Sequence, residues 1–262
     1  MTNIVITGST SGIGYGLANS FLALGCSMTI SGRSQSNIDN AVKPLSDKYG
    51  DQHVYGYRCD VTDYSQVQNL WDAAKAHFGT IDIWVNNAGV GQPETAIQDF
   101  SPDQIKKVVD TNVIGAINGS VVALKGMSEQ GYGSIYNMEG LGSSGPIIKG
   151  MALYGTTKSA LAYLTRSMIK ETKGTSIIVG ALRPGMVATK LITEQYQGRP
   201  EDWERSKKIF NILSDRVETV TPWLAKRILA NKKNGAYLVW LTQGKVLKRF
   251  LTAPFSKRII YD

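Results

Sequence analysis

Tyr154 and Lys158 stand four residues apart in the second half of the chain. On a helix this spacing places both side chains on one face, and three apolar residues follow at helical spacing, Leu161, Leu164 and Met168. A free phenol titrates near about 10, and a neighbouring ammonium favours the phenolate. The pair therefore predicts a proton donor whose pKa is lowered by its neighbour.

The same spacing also occurs by chance, as an aromatic residue and a solvated lysine on an amphipathic helix. The start of the chain favours the chemical interpretation, because a short apolar strand over 3–7 runs into a glycine-rich turn and then a helix to about Leu24. Such glycines let the backbone approach a pyrophosphate, which then lies at the helix N-terminus. The candidate dinucleotide contacts in this turn are Gly8, Ser9, Thr10, Ser11, Gly12, Ile13 and Gly14.

Strand and helix patterns alternate along the rest of the chain. Predicted strands cover 28–31, 53–58, 81–86, 133–138, 176–182 and 236–241, and predicted helices cover 65–78, 101–127, 159–173, 201–213 and 218–230. This alternation predicts an α/β fold of the Rossmann type, a doubly wound parallel sheet with helices on both faces. We expect one domain over residues 1–262, with 190–232 a helical region that covers the substrate and 244–262 a basic, apolar tail.

Composition restricts the classes of protein. The start of the chain has no basic region or long apolar run, and no apolar run reaches membrane-spanning length, so we expect a cytoplasmic protein. Cys26 and Cys59 are expected to be free thiols in a reducing compartment. His53 and His77 are too few and too far apart in sequence for a metal site, and no metal is expected.

The net charge of +8 is concentrated at the C-terminal end. Residues 1–198 carry 15 basic and 15 acidic residues, whereas residues 199–262 carry 14 and 6. No nucleic-acid recognition motif accompanies this charge, so nucleic acid is not expected as a partner. In the tail, Val246, Leu247, Phe250 and Leu251 share one helical stripe, which Lys245, Lys248 and Arg249 flank and Pro254 ends. Two interpretations stay open: peripheral contact with a membrane surface, or a stripe that covers the protein's own core while the cations face water.

Four motifs stand in order: Thr7-Gly8-x-x-x-Gly12-x-Gly14, Asn86-Asn87-Ala88-Gly89, Tyr154-x-x-x-Lys158 and Pro184-Gly185. Together they resemble the short-chain dehydrogenase/reductase family, over nearly the whole chain. The resemblance implies that Tyr154 protonates a carbonyl oxygen while hydride arrives at carbon, and that Lys158 holds the nicotinamide ribose. It also implies that Asn112 anchors a proton-relay water; the alternative is a helical Asn that faces solvent.

The resemblance implies further cofactor contacts. These are Asp60 and Val61 at the adenine, Asn87, Ala88 and Gly89 at the adenine ribose, and Val187 and Thr189 at the carboxamide. Pro184, Gly185, Tyr154 and Lys158 are also expected to contact the cofactor. Family members specific for NAD place an acid at the end of the second strand, where this chain has Gly32 followed by Arg33. A guanidinium can pair with a 2′-phosphate, so NADPH is the expected cofactor. Members of the family are usually dimers or tetramers, and a homo-oligomer is expected.

One departure from the family lies at Gly140, where a Ser normally donates a hydrogen bond to the substrate oxygen. Ser143 and Ser144 are the candidates to replace it, with Ser143 as our prediction. The stretch Asn137-Met138-Glu139-Gly140-x-Gly142-Ser143 is similar to chlorophyll b reductases, although that group has Asp in place of Glu139. These enzymes reduce the C7 formyl group of chlorophyll b to hydroxymethyl with NADPH.

The narrower resemblance implies a bulky, apolar, chlorophyll-type substrate. Two alternatives stay open: a short-chain reductase of another bulky apolar aldehyde or ketone, and a catalytically silent dinucleotide-binding module.

Overall fold

The computed structural model describes residues 1–256 and 258–261; Lys257 and Asp262, part of the predicted tail, lie outside the described residues. The strands are β1 (Asn3–Ile6), β2 (Ser27–Gly32), β3 (Val54–Arg58), β4 (Ile83–Asn86), β5 (Gly133–Met138), β6 (Ile177–Arg183), β7 (Val187–Ala188), β8 (Asp215–Arg216) and β9 (Ala236–Val239). The helices are α1 (Gly12–Leu22), α2 (Gln35–Tyr49), α3 (Tyr64–Phe78), α4 (Pro102–Val109), α5 (Gly115–Gln130), α6 (Ala152–Glu171), α7 (Lys190–Thr193), α8 (Pro200–Leu213), α9 (Val217–Ala230) and α10 (Gln243–Thr252).

Seven of the strands form one parallel sheet in the order β3-β2-β1-β4-β5-β6-β9. The predicted fold class is confirmed. Alternation along β1 builds a core on each face: Ile4 and Ile6 pack with α1 and α9, whereas Val5 packs with α3 and α5. Because both faces are covered, the central strands are almost continuously apolar.

The strand order reverses at β1, which lies between β2 and β4. In open α/β sheets a ligand binds outside the carboxyl ends of the strands at this switch point. Parallel pairing brings the carboxyl ends of all seven strands to one edge, so the segments that follow β1 to β6 meet there although they are far apart in sequence.

Three helical elements differ from the sequence expectation. Helix α2 was not predicted, because its sequence is polar and contains Pro44; the burial of Ile38, Ala41 and Leu45 stabilises it. Helix α6 begins at Ala152 rather than Ser159. The helix predicted to continue past Val109 contains a π-helical turn over Asp110–Ile114, between α4 and α5.

Two leucines on the apolar stripe of the C-terminal helix α10 face solvent rather than the protein core. Leu247 and Leu251 are 62% and 68% exposed. Arg249 turns inward, where it donates to the Leu213 carbonyl and to the Asp215 carboxylate, each at 2.6 Å. Arg258 pairs with the same carboxylate at 3.0 Å. The interpretation in which the stripe covers the core is therefore wrong for Leu247 and Leu251, although Val246 is half-buried. The interpretation in which the cations face water holds for Lys248 and is wrong for Arg249, because the buried Asp215 requires cationic partners.

Burial alone would raise the pKa of Asp215. Hydrogen bonds from Trp240, Arg249 and Arg258 more than offset this effect and lower that pKa below its usual value. The tail is thus fixed to the region around β8 by a charge cluster, and its Tyr261 packs against Trp203 and Phe210 of α8.

Both cysteines are free and buried. Burial, followed by the nearby Asp60 and Asp63, raises the pKa of Cys59 to about 12, so its thiol is unreactive. Across residues 1–256 and 258–261, no group of three potential metal ligands comes together and no helix is long and apolar enough to cross a membrane.

Candidate active site

The turn between β1 and α1 has the geometry of a phosphate-binding loop. Gly8 and Gly12 have φ of 64° and 57°, the left-handed region that favours glycine. The Ser9 hydroxyl donates to the Ile6 carbonyl at 2.7 Å and accepts from the Ser31 amide at 2.9 Å, which joins the turn to β1 and β2. The Ser11 side chain makes no capping hydrogen bond at the start of α1, and no acidic residue lies in the first turn. The helix N-terminus is therefore free to bind an anion.

Asn87 and Ala88, after β4, hold this turn from the other side. The Asn87 amide nitrogen donates to the carbonyls of Thr7 and Gly8, at 2.9 and 3.0 Å. The Thr7 hydroxyl accepts from the backbone amides of Asn87 and Ala88. A Cβ at Gly8 would lie 2.8 Å from Ala88 Cα, so the two segments touch backbone to backbone.

Two arginines lie at the ends of β2 and β3. Arg33 is exposed, and Arg58 Nε donates to the backbone carbonyl of Arg33 at 3.1 Å. A Cβ at Gly32 would lie 2.9 Å from Thr10 Cγ2, so a carboxylate side chain at that position requires Thr10 to move. A cavity of about 470 Å³ adjoins the turn, and Lys190 is among its lining residues.

Asp60 and Val61 follow β3 at the same edge of the sheet. Asp60 Oδ1 accepts from the amide and the hydroxyl of Thr62, at 3.0 and 2.9 Å. Val61 is buried and packs close to Gly115, where a Cβ would lie 2.5 Å from Val61 Cγ2. Their contacts with adenine stay a prediction.

Helix α6 brings Tyr154 and Lys158 together at the end of β5. Lys158 Nζ lies 5.6 Å from the centre of the Tyr154 ring and donates to the Met138 carbonyl at 3.0 Å. A Cβ at Gly140 would lie 3.0 Å from the Tyr154 hydroxyl and 3.6 Å from Lys158 Cε. Gly140 therefore lies beside the phenol, at the place expected for the missing serine.

The electrostatics of this pair differ from the sequence expectation. Burial raises the pKa of Tyr154 to about 12. Burial also lowers the pKa of Lys158 to about 8, and the negative charge of Glu139 opposes that change. The predicted lowering of the Tyr154 pKa is wrong for this structure, because removal of water from the phenol outweighs the nearby cation. At neutral pH the phenol keeps its proton and can donate it.

Asn112 lies in the π-helical turn, a feature that is frequent at functional sites. Its side-chain oxygen accepts from the Val90 amide at 2.8 Å, and its nitrogen donates to the Val90 carbonyl at 3.0 Å and to the Thr157 hydroxyl at 3.2 Å. The side chain is buried, so the alternative of a solvent-facing Asn is wrong. Asn112 connects the turn to the segment after β4 and to α6, and its role with a relay water stays a prediction.

The segment after β6 returns over the phosphate-binding turn. Gly185 has φ of 72°, and a Cβ there would lie 2.4 Å from Leu241 Cβ, so the turn after Pro184 accepts only glycine without rearrangement. Val187 is buried in β7, and Thr189 Cγ2 lies 3.5 Å from where a Cβ of Gly12 would be. The predicted carboxamide contacts, Val187 and Thr189, thus follow a turn that leads back to the turn before α1.

The Ser143 hydroxyl donates to the Gly140 carbonyl at 2.6 Å, which closes a tight turn. Ser144 is exposed. To act as an oxyanion donor, Ser143 must exchange this backbone bond for the substrate oxygen.

We predict that Ser143→Ala lowers kcat at least tenfold, since loss of one oxyanion donor costs about 100- to 1000-fold. Steady-state rates of Ser143→Ala and of the matched Ser144→Ala test it. If neither falls tenfold, no serine of this loop serves the substrate oxygen.

Sequence reasoning missed two buried residues beside the site. Gln92 Oε1 accepts from the Tyr154 amide at 2.5 Å, and its nitrogen donates to the Gly150 carbonyl at 2.6 Å, so Gln92 holds the start of α6. Glu139 pairs with Arg183. No local pattern marks Gln92, whereas a lone Glu at the end of an apolar strand was a signal that could have found Glu139.

A parallel sheet with a free helix N-terminus at its switch point, beside the half-buried Tyr154 and the buried Lys158, is the arrangement expected of a dinucleotide-dependent oxidoreductase. The model of the short chain dehydrogenase family matches residues 2–200, and the chain belongs to this family. The glycine turn and the uncapped start of α1 fit a dinucleotide pyrophosphate.

Within this family, the chain is similar to chlorophyll(ide) b reductases. A probable chlorophyll(ide) b reductase, chloroplastic, of Arabidopsis thaliana is 33% identical over 276 residues, which cover 99% of this chain and 54% of that protein. A chlorophyll(ide) b reductase, chloroplastic, of Oryza sativa subsp. japonica is 34% identical, covering 95% of this chain and 74% of that protein. The chain thus spans about half the length of the first relative. The solved structure of ElxO with NADP bound is 26% identical, has a TM-score of 0.79 and covers 94% of this chain and 99% of that one.

Proposed function

We propose that the chain is an NADPH-dependent reductase that converts the C7 formyl group of a chlorophyll b-type pigment to hydroxymethyl. The observation that carries the proposal is the similarity to chlorophyll(ide) b reductases over nearly the whole chain. The absence of a side chain at Gly140, directly beside the Tyr154 hydroxyl, supports it because a glycine leaves room for the edge of a large planar substrate.

The residues divide the reaction between them. When bound, the nicotinamide supplies hydride to the carbonyl carbon. Tyr154 donates its proton to the carbonyl oxygen. Burial favours the protonated phenol, which is the form that reduction of a carbonyl requires. Lys158 binds the ribose and stabilises the phenolate that the donation leaves.

The test mixes the protein with NADPH and a chlorophyll b-type aldehyde and follows the absorption spectrum of the pigment. Conversion to the hydroxymethyl pigment, absent without NADPH, is expected. A protein that oxidises NADPH only with other bulky aldehydes or ketones would be a short-chain reductase of another substrate. A protein that binds NADPH and reduces no carbonyl compound would be a silent dinucleotide-binding module.

The preference for NADPH is proposed to depend on Arg33. We expect wild type to use NADPH with a higher kcat/KM than NADH, and Arg33→Ala to lose about tenfold with NADPH alone, because only that cofactor carries the 2′-phosphate. Kinetics with both cofactors test this. Arg205→Ala is the matched control, since it removes an exposed guanidinium from α8, whereas Arg58 donates to the Arg33 carbonyl and is not an independent control. Equal use of both cofactors by wild type would refute the assignment.

We further propose that the exposed face of α10 contacts an anionic lipid surface. On this face Leu247 and Leu251 are 62% and 68% exposed, and Lys248 is exposed beside them. Phe255, in the turn that follows α10, is 90% exposed. An apolar face with a cation beside it binds in the headgroup layer. Lys248 would add about 1 kcal/mol at an anionic surface, whereas Arg249 and Arg258 are held by Asp215. The proposed pigment substrate gives a membrane contact its purpose.

Flotation with vesicles tests this contact. We expect salt-sensitive binding to anionic vesicles that is lost in the Leu247→Ser/Leu251→Ser double variant and kept in Ile97→Ser, which changes an exposed apolar residue elsewhere. Point variants are preferable to removal of the tail, which would leave the buried Asp215 without Arg249 and Arg258. No binding to anionic or neutral vesicles would contradict the proposal.

A homo-oligomer is also proposed, through the helical run from α4 to α5 and through α6. Ile114 in the π-helical turn, Ile117 on α5 and Tyr163 on α6 are exposed, as residues of an interface between copies would be in a single chain. The mass in solution, measured by light scattering, tests this proposal.

A further inference from the structure

Glu139 is a buried carboxylate next to the reacting groups that the proposed reaction does not use. It follows β5 directly, and its side chain has 0% exposure. Oε2 accepts from Arg183 Nε at 2.7 Å, whereas Oε1 is buried and has no hydrogen-bond partner within the described part of the chain. A buried carboxylate oxygen without a hydrogen bond is costly, so its retention needs a physical reason.

The neighbours of Glu139 in sequence both contact Lys158. The Met138 carbonyl accepts from Lys158 Nζ at 3.0 Å, and Gly140 lies against Lys158 Cε. Glu139 and Lys158 form no salt bridge within the described residues, so their charges act through space. In a buried site, the interaction between two charges is screened much less than at the protein surface.

The surroundings of Lys158 contain few other charges. Tyr154 lies on the same helix, Glu139 follows β5, and Arg183 at the end of β6 pairs with Glu139. The nearby π-helical turn contributes the neutral amide of Asn112, and the segment after β4 contributes Gly89. Burial lowers the pKa of Lys158 to about 8, and the charge of Glu139 opposes this change. Glu139 is thus the anion that favours the charged lysine.

We propose that Glu139 is a positioning residue that keeps the buried Lys158 ammonium protonated, while Arg183 holds the carboxylate in place. The inference rests on the assignment of Lys158 to the cofactor ribose under the proposed function. Lys158 is charged below its pKa, so loss of the neighbouring anion makes it lose its proton at lower pH. Cofactor affinity should then fall at lower pH than in wild type, while the acid side of the profile is unchanged.

The experiment measures the NADPH dissociation constant by fluorescence between about pH 6 and about pH 10, the range in which a perturbed lysine titrates. In Glu139→Gln, which keeps the shape and removes the charge, we expect the alkaline midpoint to move down by about one pH unit. Glu139→Asp, which keeps the charge, should have an alkaline midpoint close to that of wild type. Asp47→Asn, which removes an exposed carboxylate paired with Lys43 on α2, should leave the midpoint unchanged.

Arg183→Met provides a second test. Because Arg183 holds the buried carboxylate in place, its removal releases the anion from its position beside Lys158, so the alkaline midpoint should fall as in Glu139→Gln. Circular dichroism confirms folding, and Arg183→Met decides the question should Glu139→Gln not fold. Profiles that keep the wild-type midpoint in both variants, with affinity reduced equally at all pH values, would overturn the proposal and leave Glu139 a structural residue. NADPH binding needs no carbonyl substrate, so a failure to reduce the pigment does not affect this result.

Discussion

Replacing Tyr154 with phenylalanine is expected to lower kcat by roughly 100- to 10,000-fold, the range that general acid catalysis contributes. The variant keeps the ring beside Gly140 and removes only the hydroxyl, which the substrate oxygen needs in the transition state. Cofactor affinity should change less than twofold. Steady-state kinetics with NADPH and fluorescence titration of NADPH measure the two effects separately.

This separation makes the result interpretable. A variant that loses kcat and keeps its cofactor identifies Tyr154 as a residue of the chemical step. Activity within a few-fold of wild type would show that another group supplies the proton. Because burial raises the pKa of Tyr154 to about 12, reduction by wild type should not lose its phenolic proton donor below about pH 10.

The second large effect is expected at Gly14, inside the first turn of α1. A Cβ there would lie 2.5 Å from Asn87 Nδ2, 2.6 Å from the Gly8 carbonyl oxygen and 2.9 Å from Ser9 Cα. Gly14→Ala must therefore separate Asn87 from the turn that it holds with two hydrogen bonds. Overpacking of this kind costs about 1 to 3 kcal/mol. We expect a loss of NADPH affinity of at least about tenfold and a Tm lowered by about 5 °C.

Gly244→Ala is the matched control, because a Cβ at this position of α10 meets nothing within 4 Å. It should leave NADPH binding unchanged. Fluorescence titration and thermal unfolding of both variants test the expectation. Wild-type affinity in Gly14→Ala would mean that the turn before α1 does not hold the pyrophosphate.

The sequence alone was sufficient to predict the sheet and the glycine-rich turn before α1. Strands such as β1 and β4 are short apolar runs that can be recognised in the local sequence. The turn between β1 and α1 needs glycine because Gly8 and Gly12 have positive φ. The predicted position of Tyr154 and Lys158 on one helix also follows from local spacing, although α6 begins earlier than expected.

Helix α2 and the π-helical turn at Asn112 could not be predicted in the same way. Polar residues and Pro44 disfavour α2 locally, and contacts of Ile38 and Leu45 with the rest of the protein outweigh this. The π turn coincides with the hydrogen bonds of Asn112 to Val90, which come from a segment 22 residues away. Both depend on distant parts of the chain.

The sequence by itself thus determined the architecture, the glycine-rich turn before α1 and the residue types of the proposed catalytic pair, because each depends on neighbours in sequence. Only the tertiary structure decided the electrostatics. It raised rather than lowered the pKa of Tyr154, placed Glu139 near Lys158, and turned Arg249 of α10 inward to Asp215. The physical reason is that the cost of burying a charge depends on water removed and on charges brought close by folding, and neither quantity is a property of a local sequence pattern.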